Sequence, residues 1–302
     1  MKITVTGATG LIGRRLVRDL TARGDEVTVL SRNPGRARET LGPAVEALPW
    51  DPQREPAPTG ALAGRDGVVH LAGENLAQRW NDETRRLIRE SREQGTRHLV
   101  DGFRTADPLP AVLVSMSGVG FYGNRGDEPV DEDAPPGDDF LAGVCVAWER
   151  EAEAATELGV RVVRTRNGVV LDKNEGALAR MLPPFRLGVG GPVAGGRQYL
   201  SWIHLDDITG IVQRALDDDS WTGAFNATSP QPVTNAEFSK ALGRALNRPA
   251  VMPVPGAAIR LLYGDMAQLV TEGQRAVPRR AVELGYEHRQ PDLDQALRSA
   301  LA

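Results

Sequence analysis

With one cysteine in 302 residues, the chain cannot hold an internal disulfide, and Cys145 alone argues against a thiolate metal centre. The 4 histidines are scattered, so no metal cluster is expected. Basic residues are not in excess: 36 Lys and Arg against 40 Asp and Glu leave a formal charge of −4, without the basic face that nucleic acid requires. No run of ~18 apolar residues offers a membrane span. Met1-Lys2 passes straight into Ile3-Thr4-Val5 and a glycine turn, which does not fit a signal peptide. What is present is 41% hydrophobic and 25% charged residues, ordinary for a globular protein with a core. The length suggests roughly two domains. The expectation is a cytoplasmic, metal-free protein acting on a small molecule, with neither nucleic acid nor membrane as partner and a homodimer left open.

The first half alternates short apolar runs with helical stretches. Strands are expected at Lys2–Thr6, Glu26–Leu30, Val68–Ala72, Val112–Met116 and Val160–Thr165, and helices at Leu11–Arg23, about Asn81–Thr105 and Leu141–Leu158. Strands separated by helices of ~10–20 residues imply right-handed crossovers and a parallel sheet. Pro49–Pro58 and the acidic Asp127–Asp139 read as loops without regular structure. Beyond Gly168 the rhythm changes. A glycine-rich loop at Gly188–Gly196 precedes three helices. The first, Asp206–Leu216, has Asp206 or Asp207 as N-cap; the second, Thr234–Leu246, opens with a Thr234/Glu237 capping box; the third is Leu261–Glu272. The fold class expected is α/β: a Rossmann doubly wound parallel sheet with a smaller mixed C-terminal substrate domain. The dinucleotide-binding part comprises 1–167 with about 203–226, and the smaller part 168–202 with 227–302.

Thr6-Gly7-Ala8-Thr9-Gly10-Leu11-Ile12-Gly13 lies between the first strand and the first helix. Gly7 permits the tight turn, Gly10 lets backbone approach a pyrophosphate, and Gly13 lets helix and strand pack closely. The helix N-terminus offers free N–H groups and its positive dipole end to phosphate, so Thr9, Leu11 and Ile12 join the candidate site. GxxGxxG spacing points to the short-chain dehydrogenase version of the fold. An NAD enzyme usually places Asp or Glu at the end of the second strand to hold the ribose 2′-hydroxyl. This chain has Leu30-Ser31-Arg32 there, where Arg32 can pair with a 2′-phosphate and Ser31 can hydrogen-bond it. NADP(H) is the expected cofactor.

His70-Leu71-Ala72-Gly73 resembles the short motif lining the cofactor cleft of extended short-chain dehydrogenases. Ser115–Gly123 resembles their serine-containing segment, and Trp202–Asp207 a late strand-to-helix junction. Longer stretches are similar to an atypical "epimerase family" branch related to human short-chain dehydrogenase family 39U. These are Leu71–Asn75, Phe140–Glu149, Met181–Gly191 (MLPPFRLGVGG), Ser201–Asp207, Val233–Phe238 and Gly273–Pro278. The resemblance covers practically the whole chain and implies NADP(H) binding. By position it implies adenosine-phosphate contacts at Ser31 and Arg32, a cleft segment at Leu71, Ala72 and Gly73, and a cofactor-side arginine at Arg92. Against the last stands the reading of Arg92 as one more surface arginine beside Arg85, Arg86, Arg89 and Arg97.

Most of that superfamily uses Tyr-x-x-x-Lys, in which the phenolate exchanges a proton while hydride moves to or from nicotinamide. Matching Glu149 to the glutamate that commonly follows puts Leu141 at the tyrosine and Cys145 at the lysine. Leucine has no exchangeable proton and a thiol carries no positive charge. The candidate catalytic groups that remain are Ser117 and Tyr122. His204 reads as a structural histidine. The arginine that usually pairs with a sugar-nucleotide diphosphate would fall near Leu200, three residues from Arg197, which speaks against a sugar nucleotide. Two readings stay open: an epimerase-like NADP(H) oxidoreductase on an unidentified small molecule, and a non-catalytic NADPH-binding sensor or scaffold.

Overall fold

The computed structural model describes residues 1–302. Strand and helix alternate through Lys2–Thr6 (β1), Leu11–Arg23 (α1), Glu26–Ser31 (β2), Pro34–Leu41 (α2) and Glu46–Pro49 (β3). Next come Gly67–His70 (β4), Asp82–Phe103 (α3), Val112–Gly118 (β5), Pro129–Val130 (β6), Phe140–Glu153 (α4) and Arg161–Asn167 (β7). The middle of the chain forms Val169–Leu171 (β8), Gly176–Arg186 (α5), Tyr199–Leu200 (β9), Trp202–His204 (β10), Leu205–Asp217 (α6) and Gly223–Ala227 (β11). Val233–Thr234 (β12), Asn235–Leu246 (α7), Gly256–Tyr263 (α8), Gln268–Thr271 (α9), Arg275–Ala276 (β13), Arg279–Glu283 (α10) and Leu293–Leu301 (α11) complete it.

Seven parallel strands form the main sheet in the order β11-β7-β5-β4-β1-β2-β3. Its strands are apolar on both faces because helices cover both. Ile3, Val5, Val29, Val69 and Val114 pack against Leu16, Leu20, Ile208 and Ile211 of α1 and α6. On the other face Val68, Leu113 and Val162 meet Leu99 and Phe103 of α3. Strand order reverses at β1, which opens a crevice outside the carboxyl ends of β1 and β4. A separate cluster, with Leu178, Trp202, Phe238, Leu242 and Leu297, holds α5, β10, α7 and α11 together. No helix is long and apolar enough to cross a membrane.

Local chemistry redraws several expected boundaries. β4 ends at His70 rather than Ala72, because the N–H groups of Leu71 and Ala72 turn to Thr6 Oγ1 at 3.2 and 3.3 Å. The helix expected through Leu158 tightens into a 3-10 turn at Ala154–Leu158. Asp127–Asp139 is not wholly irregular: β6 pairs with β13, and the buried Glu132 anchors the loop by accepting the Asn226 N–H at 3.0 Å. The N-cap of α6 is His204, whose Nδ1 accepts the Asp206 N–H at 3.1 Å, and neither aspartate serves that role. Asp206 pairs with Arg15, while buried Asp207 accepts the N–H groups of Arg289 and Gln290 at 2.7 and 3.1 Å. Leu261–Glu272 is not one helix. Gly264, at φ +61°, ends α8, and a 3-10 turn leads into α9. The Thr234/Glu237 capping box forms as expected.

Candidate functional site

The glycine loop is fitted to its surroundings at atomic contact. Gly7 has φ +66°, and a Cβ there would stand 2.6 Å from the Leu71 carbonyl carbon and 2.7 Å from the Ala72 nitrogen. A Cβ at Gly13 would stand 2.5 Å from the Gly7 oxygen, so this glycine serves helix–strand packing as read. Gly10 is different: its added Cβ would meet nothing nearer than the Gly7 oxygen at 3.4 Å. The space above it is open. Gly10 caps α1 without any side-chain hydrogen bond, and no acidic residue lies in the first turn. Leu11, Ile12 and Gly13 therefore present backbone N–H groups and an unopposed dipole.

A cavity of about 470 Å³ extends from this turn over β2. It is lined by the loop residues Gly7, Ala8, Thr9 and Gly10, by Ser31 and Arg32, and by Leu71, Ala72 and Gly73. Those expected contacts converge. The cavity adds Arg14, Asn33, Arg36, Trp50 and Pro52, which the sequence reading did not single out. Arg36 follows from local structure: Asn33 caps α2 by accepting the Arg36 N–H at 3.0 Å, which sets the first helical turn beside Arg32. Trp50 arrives because its N–H bonds to the Ser31 carbonyl at 3.0 Å, extending β3 past the β2 terminus. The lining contains three arginines and no carboxylate. Arg14 pairs with Glu175 at 2.8 Å, whereas Arg32 and Arg36 are exposed and make no ion pair. The residues fit a dinucleotide: a glycine cradle for pyrophosphate, and two free guanidinium groups where a ribose substituent would lie.

Leu11, Ile12 and Gly13 lie off the cavity wall, so only their backbone could serve it. Arg92 also lies off the wall but is not a surface arginine. It is buried, its guanidinium sits 5.1 Å above the Trp148 ring, and a Cβ on Gly73 would touch it at 3.2 Å. Arg92 supports the cleft floor from below, while Arg86, Arg89 and Arg97 on the same helix are exposed. Thr6, His70 and Thr96 form a buried strut that no local sequence signal announces. His70 Nδ1 meets Thr6 Oγ1 at 2.8 Å and Nε2 meets Thr96 Oγ1 at 3.0 Å, and burial pushes the imidazole down to about 4.

Beyond β4 a second cavity of about 240 Å³ opens at the carboxyl ends of β5 and β7, where a substrate would meet a dinucleotide in this architecture. Leu141 and Cys145 line it, side by side on α4. Burial, with Glu149 nearby, pushes the Cys145 thiol up to about 11, which favours the protonated thiol at neutral pH. The two candidate catalytic hydroxyls are elsewhere. Ser117 Oγ donates to Glu149 Oε1 at 2.8 Å in a buried pocket. Tyr122 is wholly buried, its hydroxyl donating to Asn226 Oδ1 at 2.6 Å and accepting from Arg166 Nη1 at 3.0 Å. Burial pushes that phenol up to about 12. Neither lines the cleft or the chamber. Arg197 and Leu200 are also absent from the chamber wall.

Comparison with known proteins agrees with this geometry. Residues 3–227 match the model of the NAD dependent epimerase/dehydratase family, and residues 254–300 match a domain of unknown function, DUF1731. The human epimerase family protein SDR39U1 is 38% identical over 100% of both chains. A chloroplastic SDR39U1 homolog of Arabidopsis thaliana is 41% identical over 100% of this chain and 87% of its own length. The crystal structure of the human protein (isoform2) with NADPH superposes with a TM-score of 0.87 at 37% identity, covering 99% of each chain. This chain belongs to the NAD dependent epimerase/dehydratase family.

Proposed function

We propose that the chain binds NADPH across the β1–β2 cleft and acts as an epimerase-like oxidoreductase on a small molecule seated in the adjoining chamber. The observation that carries the cofactor choice is the pair Arg32 and Arg36, free of ion pairs in a cleft without a carboxylate. Two guanidinium groups suit a 2′-phosphate, and nothing nearby repels it. The similar human protein was crystallised with NADPH, which supports the same reading. When bound, a reduced nicotinamide supplies hydride. The chain's own part is to hold the pyrophosphate on the Gly7–Gly13 turn and to support Gly73 through Arg92. It also keeps the chamber walled by Leu76, Val119 and Leu141.

A second reading is favoured by a specific observation: Ser117 and Tyr122 are engaged in the buried Glu149–Arg166 network. The alignment that puts Leu141 and Cys145 at the usual tyrosine and lysine positions supports the same reading. On that reading the chain is an NADPH-binding sensor. A carbonyl and alcohol panel, followed by the absorbance of reduced nicotinamide, separates the two. Turnover on any member supports the enzyme; stoichiometric NADPH binding without turnover supports the sensor.

A further inference from the structure

The second chamber has a wall that the family's dinucleotide fold does not explain. Five of its lining residues, Gln268, Leu269, Glu272, Gly273 and Gln274, come from the C-terminal segment whose family is a domain of unknown function. That segment is held firmly. A Cβ on Gly273 would collide with the Tyr199 carbonyl oxygen, so only glycine lets the chain cross β9 there. Ser201 Oγ then donates to the Gln274 carbonyl at 2.8 Å and accepts the Ala276 N–H at 3.0 Å. Glu272, the C-cap of α9, and Gln268, at its start, are thereby fixed on the chamber wall.

The chemistry of the wall is one-sided. Its residues include the carboxylates Asp139 and Glu272 and the amides Asn124, Asn167, Gln268 and Gln274, but no lysine, arginine or histidine. Asp139 is occupied in part, capping α4 through the Ala142 N–H at 2.9 Å. Glu272 has no salt bridge and no side-chain hydrogen bond. Two polar atoms are buried without any partner, Asn167 Oδ1 on β7 and Gln268 Nε2 on the facing segment. Both atoms are closed off even from the chamber, so the wall's hydrogen-bonding character rests on its amide and carboxylate side chains as a set. The cations beside the wall lie off its lining: Arg92 is buried behind Cys145, Arg125 turns its guanidinium to the Tyr122 and Pro135 carbonyls, Arg275 stacks over the Tyr199 ring, and Arg85 and Arg260 line a surface hollow that shares Gln268 and Glu272. Arg85 is paired there with Asp265, and Arg260 makes no ion pair with Glu272.

We infer that the chamber, walled in part by residues 254–300, takes a small polyhydroxylated ligand that is cationic or uncharged rather than an anion or a nucleotide sugar. The inference rests on the proposed cofactor reading in treating this chamber as the substrate's place. The lining amides meet hydroxyl groups, and Glu272 meets an ammonium or a hydroxyl hydrogen. A diphosphate has no cation to meet it. The volume of about 240 Å³ also falls below the ~300–1,000 Å³ of sites for drug-sized ligands.

Three probes of one carbon skeleton test the charge preference: D-glucamine, D-glucitol and D-gluconate, titrated by saturation-transfer NMR with and without NADPH, with UDP-glucose as a fourth arm. The expected order is glucamine, then glucitol, then gluconate, with about a 5-fold span set by the half-exposed Glu272. UDP-glucose is expected to show no transfer at its sugar protons. In Glu272→Gln, checked for an unchanged thermal midpoint, the span should close to within about 2-fold. Preference for gluconate, binding of UDP-glucose through its sugar, an unchanged order in Glu272→Gln, or no transfer to any polyol each overturns the inference. NADPH titration of the same wild-type samples keeps the two ideas separate: failure to bind NADPH strikes the cofactor reading, whatever the order of the probes.

Discussion

Arg166 forks onto Glu149, Nε to Oε1 and Nη2 to Oε2 both at 2.9 Å, and the pair is almost wholly buried beneath the chamber. Ser117 and Tyr122 are hydrogen-bonded to this pair rather than to open space, and Arg164 adds a longer contact to Glu149 at 3.6 Å. The guanidinium also lies 3.4 Å from the Phe121 ring centroid, which covers one of its faces. Removing one partner leaves the other charged and desolvated. Glu149→Gln is expected to cost about 3–5 kcal/mol of folding stability. Ser117→Ala, which removes one donor to a carboxylate that keeps its arginine, is expected to cost about 1.5–3 kcal/mol. Urea denaturation measures both. A larger loss in Ser117→Ala than in Glu149→Gln would show that the ion pair does not organise this region.

The glycine loop separates folding from binding. Gly13→Ala forces a Cβ onto the Gly7 carbonyl and the Ala8 backbone and is expected to lower the thermal midpoint by several degrees. Gly10→Ala meets only a 3.4 Å contact, and its φ of −76° suits any residue, so the fold should be retained. Its methyl group nevertheless occupies the approach to the α1 N-terminus, and NADPH affinity should fall by at least about 10-fold. Circular dichroism with fluorescence titration tests the pair. Equal loss of stability in both variants, or normal NADPH binding by Gly10→Ala, would contradict this division.

The contrast between these glycines shows what the sequence can carry. The sheet strands and the phosphate turn were legible because apolar runs and glycine spacing are local signals. Arg32 was legible for the same reason, standing where an acid is usual. Arg36 and Trp50 were not, because they reach the cleft through the Asn33 cap and the extension of β3 past Ser31. Ser117 and Tyr122 sit near the expected place in the chain, but their hydroxyls are turned inward by Glu149 and Asn226, partners 32 and 104 residues away. Glu272 and Gln268 depend on Gly264 breaking an otherwise helical pattern and on Gly273 crossing Tyr199. Both are tertiary facts.

Burial of His70 carries a pH signature. Its imidazole is pushed down to about 4 by desolvation, while in the unfolded chain it titrates near ~6.5. Below that value the unfolded state takes up a proton that the folded state refuses, so this contribution is present above pH ~6.5 and is lost as pH falls toward about 4. Burial also lowers His204 and His288 and raises the Glu132 carboxyl, so the wild-type curve alone mixes several groups. The difference between wild type and His70→Asn in urea titrations isolates His70. Wild type should lose its advantage progressively over that window; parallel curves would mean that His70 is protonated as readily when folded.

Cys145 is expected to be silent. Its thiol, pushed up to about 11 and buried, should react with a disulfide reagent at neutral pH only through the small unfolded population. Addition of urea below the unfolding transition should raise that rate in step with the unfolded fraction. Rapid labelling of the native protein would instead place a reactive thiolate in the chamber.

Cofactor selection by Arg32 and Arg36 is measured most directly by calorimetric titration of NADPH and NADH into wild type and the Arg32→Ala/Arg36→Ala double variant. Each charge-assisted contact to a 2′-phosphate contributes about 1.5–3 kcal/mol at most, and exposure to solvent reduces it. The double variant should therefore bind NADPH about 10- to 100-fold more weakly. NADH, which lacks that phosphate, should bind wild type more weakly than NADPH does and change by less than about 2-fold in the variant. Equal weakening of both cofactors, or wild type that binds NADH as tightly as NADPH, would contradict the assignment.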